Sequence, residues 1–317
     1  MKFKKVILLF LAIAMIGAIL AITLKGGTNK QVSNGKPTVV VTSFTAYDFV
    51  RAIAGDKVNI EDILSPGVEM HSYEPSPSDL AKIQHADLFI YIGGETESWT
   101  DEILPTLDTS HTKVLKLMDT VTVIEEEEID GAEPEEEEEE EGAFDEHIWT
   151  SPANAMEMVK SIADELSEID AENSSIYAQN ADTYIAEIKK VQSKIREIVD
   201  HKVRDRLIFG DRMPMQYFLN EFGLEVSAAF NGCSTETEPS AATIAYLIDK
   251  VREEKVPVVL YIELGNYKVA NTIAQETGTQ VMQIQTLHNV SKTDFENGET
   301  YVSLMTRNLD VLKKALQ

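Results

Sequence analysis

Three of the chain's six histidines stand in three separated settings. These are Gly67-Val68-Glu69-Met70-His71-Ser72-Tyr73-Glu74-Pro75, Asp145-Glu146-His147-Ile148-Trp149-Thr150-Ser151-Pro152 and Thr286-Leu287-His288-Asn289-Val290-Ser291. Each lies at or near a boundary between an extended stretch and a helix start, where α/β proteins place binding groups. Neutral imidazole is the commonest ligand for a borderline-soft cation such as zinc. Three imidazoles with one further ligand would complete a tetrahedral set. The chemistry indicated is capture of a transition metal. Cys233 offers a thiolate that would serve the same purpose if it faced the cleft, although a lone small thiol is more often buried and inert. His85, His111 and His201 fall in a polar helix, a polar loop and the end of a long helix. They read as solvated or structural groups.

The elements that must position these loops alternate between strand and helix. Thr38–Thr42 carries consecutive valines and Asp87–Ile92 an unbroken apolar run after its aspartate, the pattern of strands buried on both faces, and Val58–Leu64 and Lys113–Met118 read as further strands. Ala46–Ala54, Pro77–His85 and Glu97–Leu107 read as helices between them, the second capped by Ser76 with Pro77 at its first position. Ser151-Pro152 opens another helix, reaching about Ile169. Tyr177, Ala181, Tyr184, Ile188, Val191, Ile195 and Ile198 then form one apolar stripe at helical spacing. A helix of about 28 residues spans roughly 40 Å, enough to cross two lobes. Strand–helix alternation resumes with strands at Arg206–Phe209, Leu224–Phe230, Val256–Ile262 and Gln280–Gln285. Helices are expected at Pro214–Phe222, Ala241–Glu253, Asn266–Thr277 and Thr300–Leu316. The fold class implied is α/β: two Rossmann-like lobes with parallel sheets, joined by one long rigid helix.

Length and charge bound the rest. At 317 residues the chain can bury two cores of ordinary size. The net charge of −26 argues against nucleic acid as a partner. Much of it is concentrated in Glu125–Glu128, Glu133 and Glu135–Glu141, so nothing from Asp119 to Glu146 is expected to pack. The basic start Met1-Lys2-Phe3-Lys4-Lys5 followed by an apolar run from Val6 to Leu24 reads as an export signal, long enough to remain as a membrane anchor. Residues 1–25 are therefore a signal peptide or anchor, and 26–36 a tether. Residues 37–170 form an N-terminal lobe containing the acidic loop 119–146. The linking helix occupies 171–203 and the C-terminal lobe 204–317. One cysteine rules out an intramolecular disulfide.

These motifs together resemble the metal-binding substrate-binding proteins of bacterial ABC importers for zinc and manganese, over Pro37 to Gln317. Met70-His71-Ser72-Tyr73-Glu74-Pro75 looks like the family's first ligand loop, and Asp145-Glu146-His147-Ile148-Trp149-Thr150-Ser151-Pro152 like its second. Glu238-Pro239-Ser240 is similar to its Glu-Pro-Ser helix start, and the glutamate run occupies the place where zinc-specific members carry a histidine- and acid-rich loop. The resemblance implies two lobes bridged by a rigid helix, a divalent metal as cargo, a permease as partner and no catalysis. Two departures stand out. The family's third ligand falls on Arg212, which is permanently charged and cannot ligate a cation; Asp211 could move in as an oxygen ligand, or Arg212 could pair with a cleft carboxylate. At the family's fourth position, usually aspartate, stands His288.

The expected ligands are thus His71, His147 and His288, with Asp211 or water as the fourth. Such a nitrogen-rich set suits zinc over manganese. Glu74 and Tyr73 are candidates to orient His71, and Glu263 to pair with Arg212 or border the site. A monomer on the outer face of the membrane, or secreted if the signal is cleaved, is expected, with zinc affinity falling below about pH 6 as the histidines protonate. The alternatives are a binding protein or adhesin of the same fold for manganese or another divalent metal, and a zinc hydrolase, for which the sequence has no Ser-His-Asp order, His-Glu-x-x-His helix or phosphate loop.

Overall fold

The computed structural model describes residues 35–132, 143–232, 234 and 238–317. The expected signal peptide or anchor and most of the expected tether, most of the glutamate run, and Cys233 lie outside these residues. Among the described residues no helix is long and apolar enough to cross a membrane.

The first sheet has the order β2-β1-β3-β4, from β1 (Thr38–Val41), β2 (Asn59–Asp62), β3 (Leu88–Tyr91) and β4 (Lys113–Lys116), all parallel. The central strands β1 and β3 are the most apolar, and Val39, Val40, Val41, Leu88, Phe89 and Ile90 have no exposed surface. Helix α1 (Phe44–Ala54) follows β1 and is capped by Ser43, whose hydroxyl accepts from the Ala46 N–H. Helix α2 (Pro77–Gln84) has the Ser76–Asp79 capping box. The single helix expected over Glu97–Leu107 is instead broken. Only Thr100–Ile103 (α3) is α-helical, between two 3₁₀ turns, and the second turn contains Pro105 near its start. Proline there lacks the N–H that would continue the ladder.

Helix α4 (Pro152–Ile169) leads into α5 (Ser174–Asp200), 27 residues long. The buried face of α5 is Tyr177, Ala181, Tyr184, Ile188, Val191, Ile195 and Val199; the last position falls on Val199 and not on Ile198. The second sheet, β6-β5-β7-β8, is again parallel, from β5 (Arg206–Arg212), β6 (Glu225–Phe230), β7 (Val258–Ile262) and β8 (Gln280–Ile284). Helices α6 (Gln216–Phe222), α7 (Ala241–Glu254), α8 (Lys268–Thr277), the short α9 (Lys292–Glu296) and α10 (Tyr301–Leu316) complete it. Two lobes are present, yet they share an interior. One continuous apolar cluster includes Val39 and Phe49 of the first lobe, Tyr184 and Ile188 of α5, and Leu260 and Leu304 of the second.

The acidic arm contradicts the expectation that nothing packs between Asp119 and Glu146. Val121, Val123, Ile124 and Ile129 turn inward against the core while Glu125, Glu127 and Glu128 between them are exposed. Glu125 pairs antiparallel with Phe144. The backbone is also pinned to the second lobe: the Ile124 N–H donates to Tyr217 Oη, the Glu127 N–H to Gln216 Oε1 and the Ile129 N–H to Asn231 Oδ1. Asp130 accepts from Arg206 and Tyr246. Asp145 and Glu146 are buried.

Candidate metal centre

His71 follows β2 on the loop entering α2, His147 precedes α4, and His288 follows β8. The fold brings the three together, with one ring nitrogen from each within 4.8 Å of the others. The Nε2 atoms of His71 and His288 are 3.1 Å apart, and Nε2 of His147 is buried without a hydrogen-bond partner among the described residues. A zinc ion with Zn–N near 2.0–2.1 Å sets tetrahedral N···N edges of about 3.3 Å, so the rings already stand near the spacing a single ion requires.

Each imidazole is gripped from behind through Nδ1. His71 Nδ1–H donates to Thr96 Oγ1 at 3.0 Å, while the Thr96 hydroxyl donates to Glu146. His147 Nδ1–H donates to Asp145 Oδ1 at 2.7 Å. His288 Nδ1–H donates to Thr286 Oγ1 at 3.2 Å, and the Thr286 hydroxyl donates to Glu263 Oε1 at 2.8 Å. Because both threonine hydroxyls spend their hydrogen on a carboxylate, they can only accept from the imidazoles. That fixes the Nδ1–H tautomer and leaves the Nε2 lone pairs facing inward. Two such lone pairs 3.1 Å apart repel unless a cation sits between them.

Local backbone sets the third ring. Leu287 has φ 63°, in the left-handed region, which is unfavourable for a branched side chain. It is held there by its neighbours: Glu263 accepts from the Thr286 and His288 N–H groups, and Trp149 Nε1 donates to the Thr286 carbonyl. Asn289 reaches the carbonyls of Ser65 and Val68, locking this loop to the one that carries His71.

Burial, then the nearby charges of His147 and Arg212, pulls the His71 pKa down to about 3. His288 is lowered well below its ordinary value by burial and by His147, His71 and Arg212. Burial also disfavours the His147 cation, but the charge and hydrogen bond of Asp145 outweigh it and raise that pKa. Burial raises Glu263 to about 7 against its hydrogen bonds from Thr286. Two of the three rings are therefore held neutral, the form that binds metal.

Asp211 does not join the donor set, and among the described residues no carboxylate does. Its oxygens accept from the Arg212 and Ile262 N–H groups, which turns it toward the ends of β5 and β7. Arg212 pairs with Glu69 at 2.8 Å, not with Glu263. Tyr73 donates to Asp79 and Glu74 is exposed, so neither orients His71. That role falls to Thr96, which no motif marked. Asp145 and Thr286 were legible in principle, since each stands two residues before the histidine it holds.

Residues 39–315 match the family described as ZnuA: Zinc-uptake complex component A periplasmic. The chain belongs to this family. Among ZnuA-like relatives it is 31% identical over 303 residues to the zinc-binding lipoprotein AdcA of Streptococcus pneumoniae strain R6, covering 95% of this chain but 60% of that protein. To the high-affinity zinc uptake system protein ZnuA of Bacillus subtilis it is 32% identical over 279 residues, covering 88% of this chain and 87% of that one. The crystal structure of the Zn(II)-bound ZnuA-like domain of S. pneumoniae AdcA superposes with a TM-score of 0.74 at 30% identity, covering 89% of this chain and 99% of that one.

Proposed function

We propose that the chain is an extracytoplasmic solute-binding receptor that captures Zn2+ through Nε2 of His71, His147 and His288 and delivers it to an ABC permease. It is a carrier and not an enzyme. The observation that carries the reading is three inward-facing Nε2 atoms, each steadied on its far side by an oxygen that fixes the tautomer. A donor set of nitrogens favours zinc; manganese, the alternative cargo, prefers oxygen and higher coordination. The relatives named for zinc binding and zinc uptake support the same cargo and a membrane importer as partner. Residues 1–25 would hold the receptor, as a monomer, at the outer face of the membrane. With both lobes and α5 sharing one core, capture needs little hinge motion. Release would follow docking on the permease, which strains the ligand set.

Native mass spectrometry with elemental analysis tests this, wild type beside His71→Ala. One zinc per chain in the wild type, lost in the variant, is the expected result. Manganese in its place, or zinc retained after the substitution, would overturn the assignment.

A further inference from the structure

Arg212 stands at the end of β5, beside the three imidazoles, in place of a ligand. Its Nη2 donates to Glu69 Oε2 at 2.8 Å and its Nη1 to the Ser234 carbonyl at 3.3 Å. The arginine side chain is 14% exposed and that of Glu69 36%. Two cavities share this arginine. One, of about 10 Å³, lies between Arg212, Glu263 and His288, room for about one water-sized atom. The other, of about 300 Å³, opens alongside and is lined by His71, Asp211, Arg212, Asn266 and the apolar Phe230 and Leu264. That volume falls at the small end of the range for small-molecule sites. Gly265 keeps the wall closed up, because any side chain there would collide with the Asp211 carboxylate.

Charge decides what fits. Three neutral imidazoles bring no negative charge into direct contact with the ion; Asp145, Glu146 and Glu263 stand behind the rings, and the guanidinium adds a permanent positive charge beside it. Arginine recognises carboxylates through paired N–H donors. Of the two acids in the cavity wall, Asp211 is engaged by backbone N–H groups. Glu69 is partly solvated and exchangeable.

We propose that this cavity binds a small carboxylate-bearing molecule which completes the coordination of the zinc. One carboxylate oxygen donates its lone pair to the metal and displaces a water; the other is held by Arg212, which releases Glu69 to take it. The inference rests on the zinc reading above and deepens it: the cargo is a metal–acid complex.

Cobalt(II) serves as a spectroscopic stand-in for zinc, and malonate as the probe. Malonate is titrated into the cobalt-loaded protein at ionic strength held constant with perchlorate, and the cobalt d–d bands are followed. A saturable band shift is expected. Arg212→Met weakens malonate at least about ten-fold, the loss of a charged hydrogen bond, whereas Glu69→Gln, which removes the competing carboxylate, tightens it. Bands that malonate leaves unchanged, or equal midpoints in wild type and Arg212→Met, overturn the proposal. So does a Glu69→Gln protein whose cobalt affinity is already reduced before malonate is added, which would make Glu69 the fourth ligand. A wild type that takes up no cobalt would sink the histidine site itself; cobalt bound without a malonate response sinks the acid site alone.

Discussion

Thr286→Val keeps the shape of the side chain and removes one hydroxyl, the atom that links His288 to Glu263. Glu263 keeps the N–H groups of Thr286 at 2.7 Å and His288 at 3.1 Å, so the loop conformation survives. The loss falls on His288 Nδ1–H, which is left buried and unpaired. Such a group costs about 1–3 kcal/mol, and losing the partner behind a metal-bound histidine typically lowers metal affinity about 10–100-fold. Competition against a chromophoric zinc chelator near neutral pH measures this directly, with Thr286→Ser as the control that restores the hydroxyl. A zinc affinity in Thr286→Val within about two-fold of wild type would fall well short of that range. It would refute the argument that Thr286 fixes the tautomer and aim of His288.

Three further outcomes follow from the same geometry. Because the His71 pKa lies at about 3 and His288 is also lowered while His147 is raised, His147 carries the proton that competes with zinc. Affinity should fall by about one decade per pH unit below the His147 pKa, and a fall of three decades per unit in a zinc-competition series would show all three rings titrating together. Burial raises Glu97 from 4.5 to about 7, against the N–H that Gly93 donates to it. Its protonated form therefore stabilises the fold fully below the unfolded value, and that stability, of order 3 kcal/mol at one pKa unit per 1.36 kcal/mol, is lost as pH rises to about 7. Wild type should then lose melting temperature relative to Glu97→Gln between about pH 5 and 8; parallel melting curves across that window would contradict it. Finally, zinc at about 1,000 times its Kd should raise stability by about 4 kcal/mol, read by calorimetry as a melting shift that a chelator reverses and that His147→Ala lacks.

The histidines were legible because each sits in a loop whose motif is local in sequence. The parallel lobes were legible from runs such as Val39–Val41 and Leu88–Ile90, whose burial on both faces needs no periodicity to detect. Other features were hidden for physical reasons. Asp211 is next to the expected ligand position, but the register of β5 shifts between Phe209 and Arg212, and its oxygens end on the N–H groups of Arg212 and Ile262. Thr96 reaches His71 only through the tertiary arrangement of two loops. The arm from Val121 to Asp130 was obscured by its charge: one edge of it is apolar and packs, and the count of glutamates conceals that edge. Glu69 as the partner of Arg212 lies 143 positions away, a pairing that no local pattern encodes.

Trp149 is one of two tryptophans in the chain and has no exposed surface. Its ring lies 5.5 Å from that of His147 and 5.4 Å from that of His288, edge-on to both. The protein thus carries its own fluorophore in contact with two of the imidazoles. With Trp99 replaced by phenylalanine, emission from a single indole would follow arrival and departure of a metal ion in real time, without any attached label.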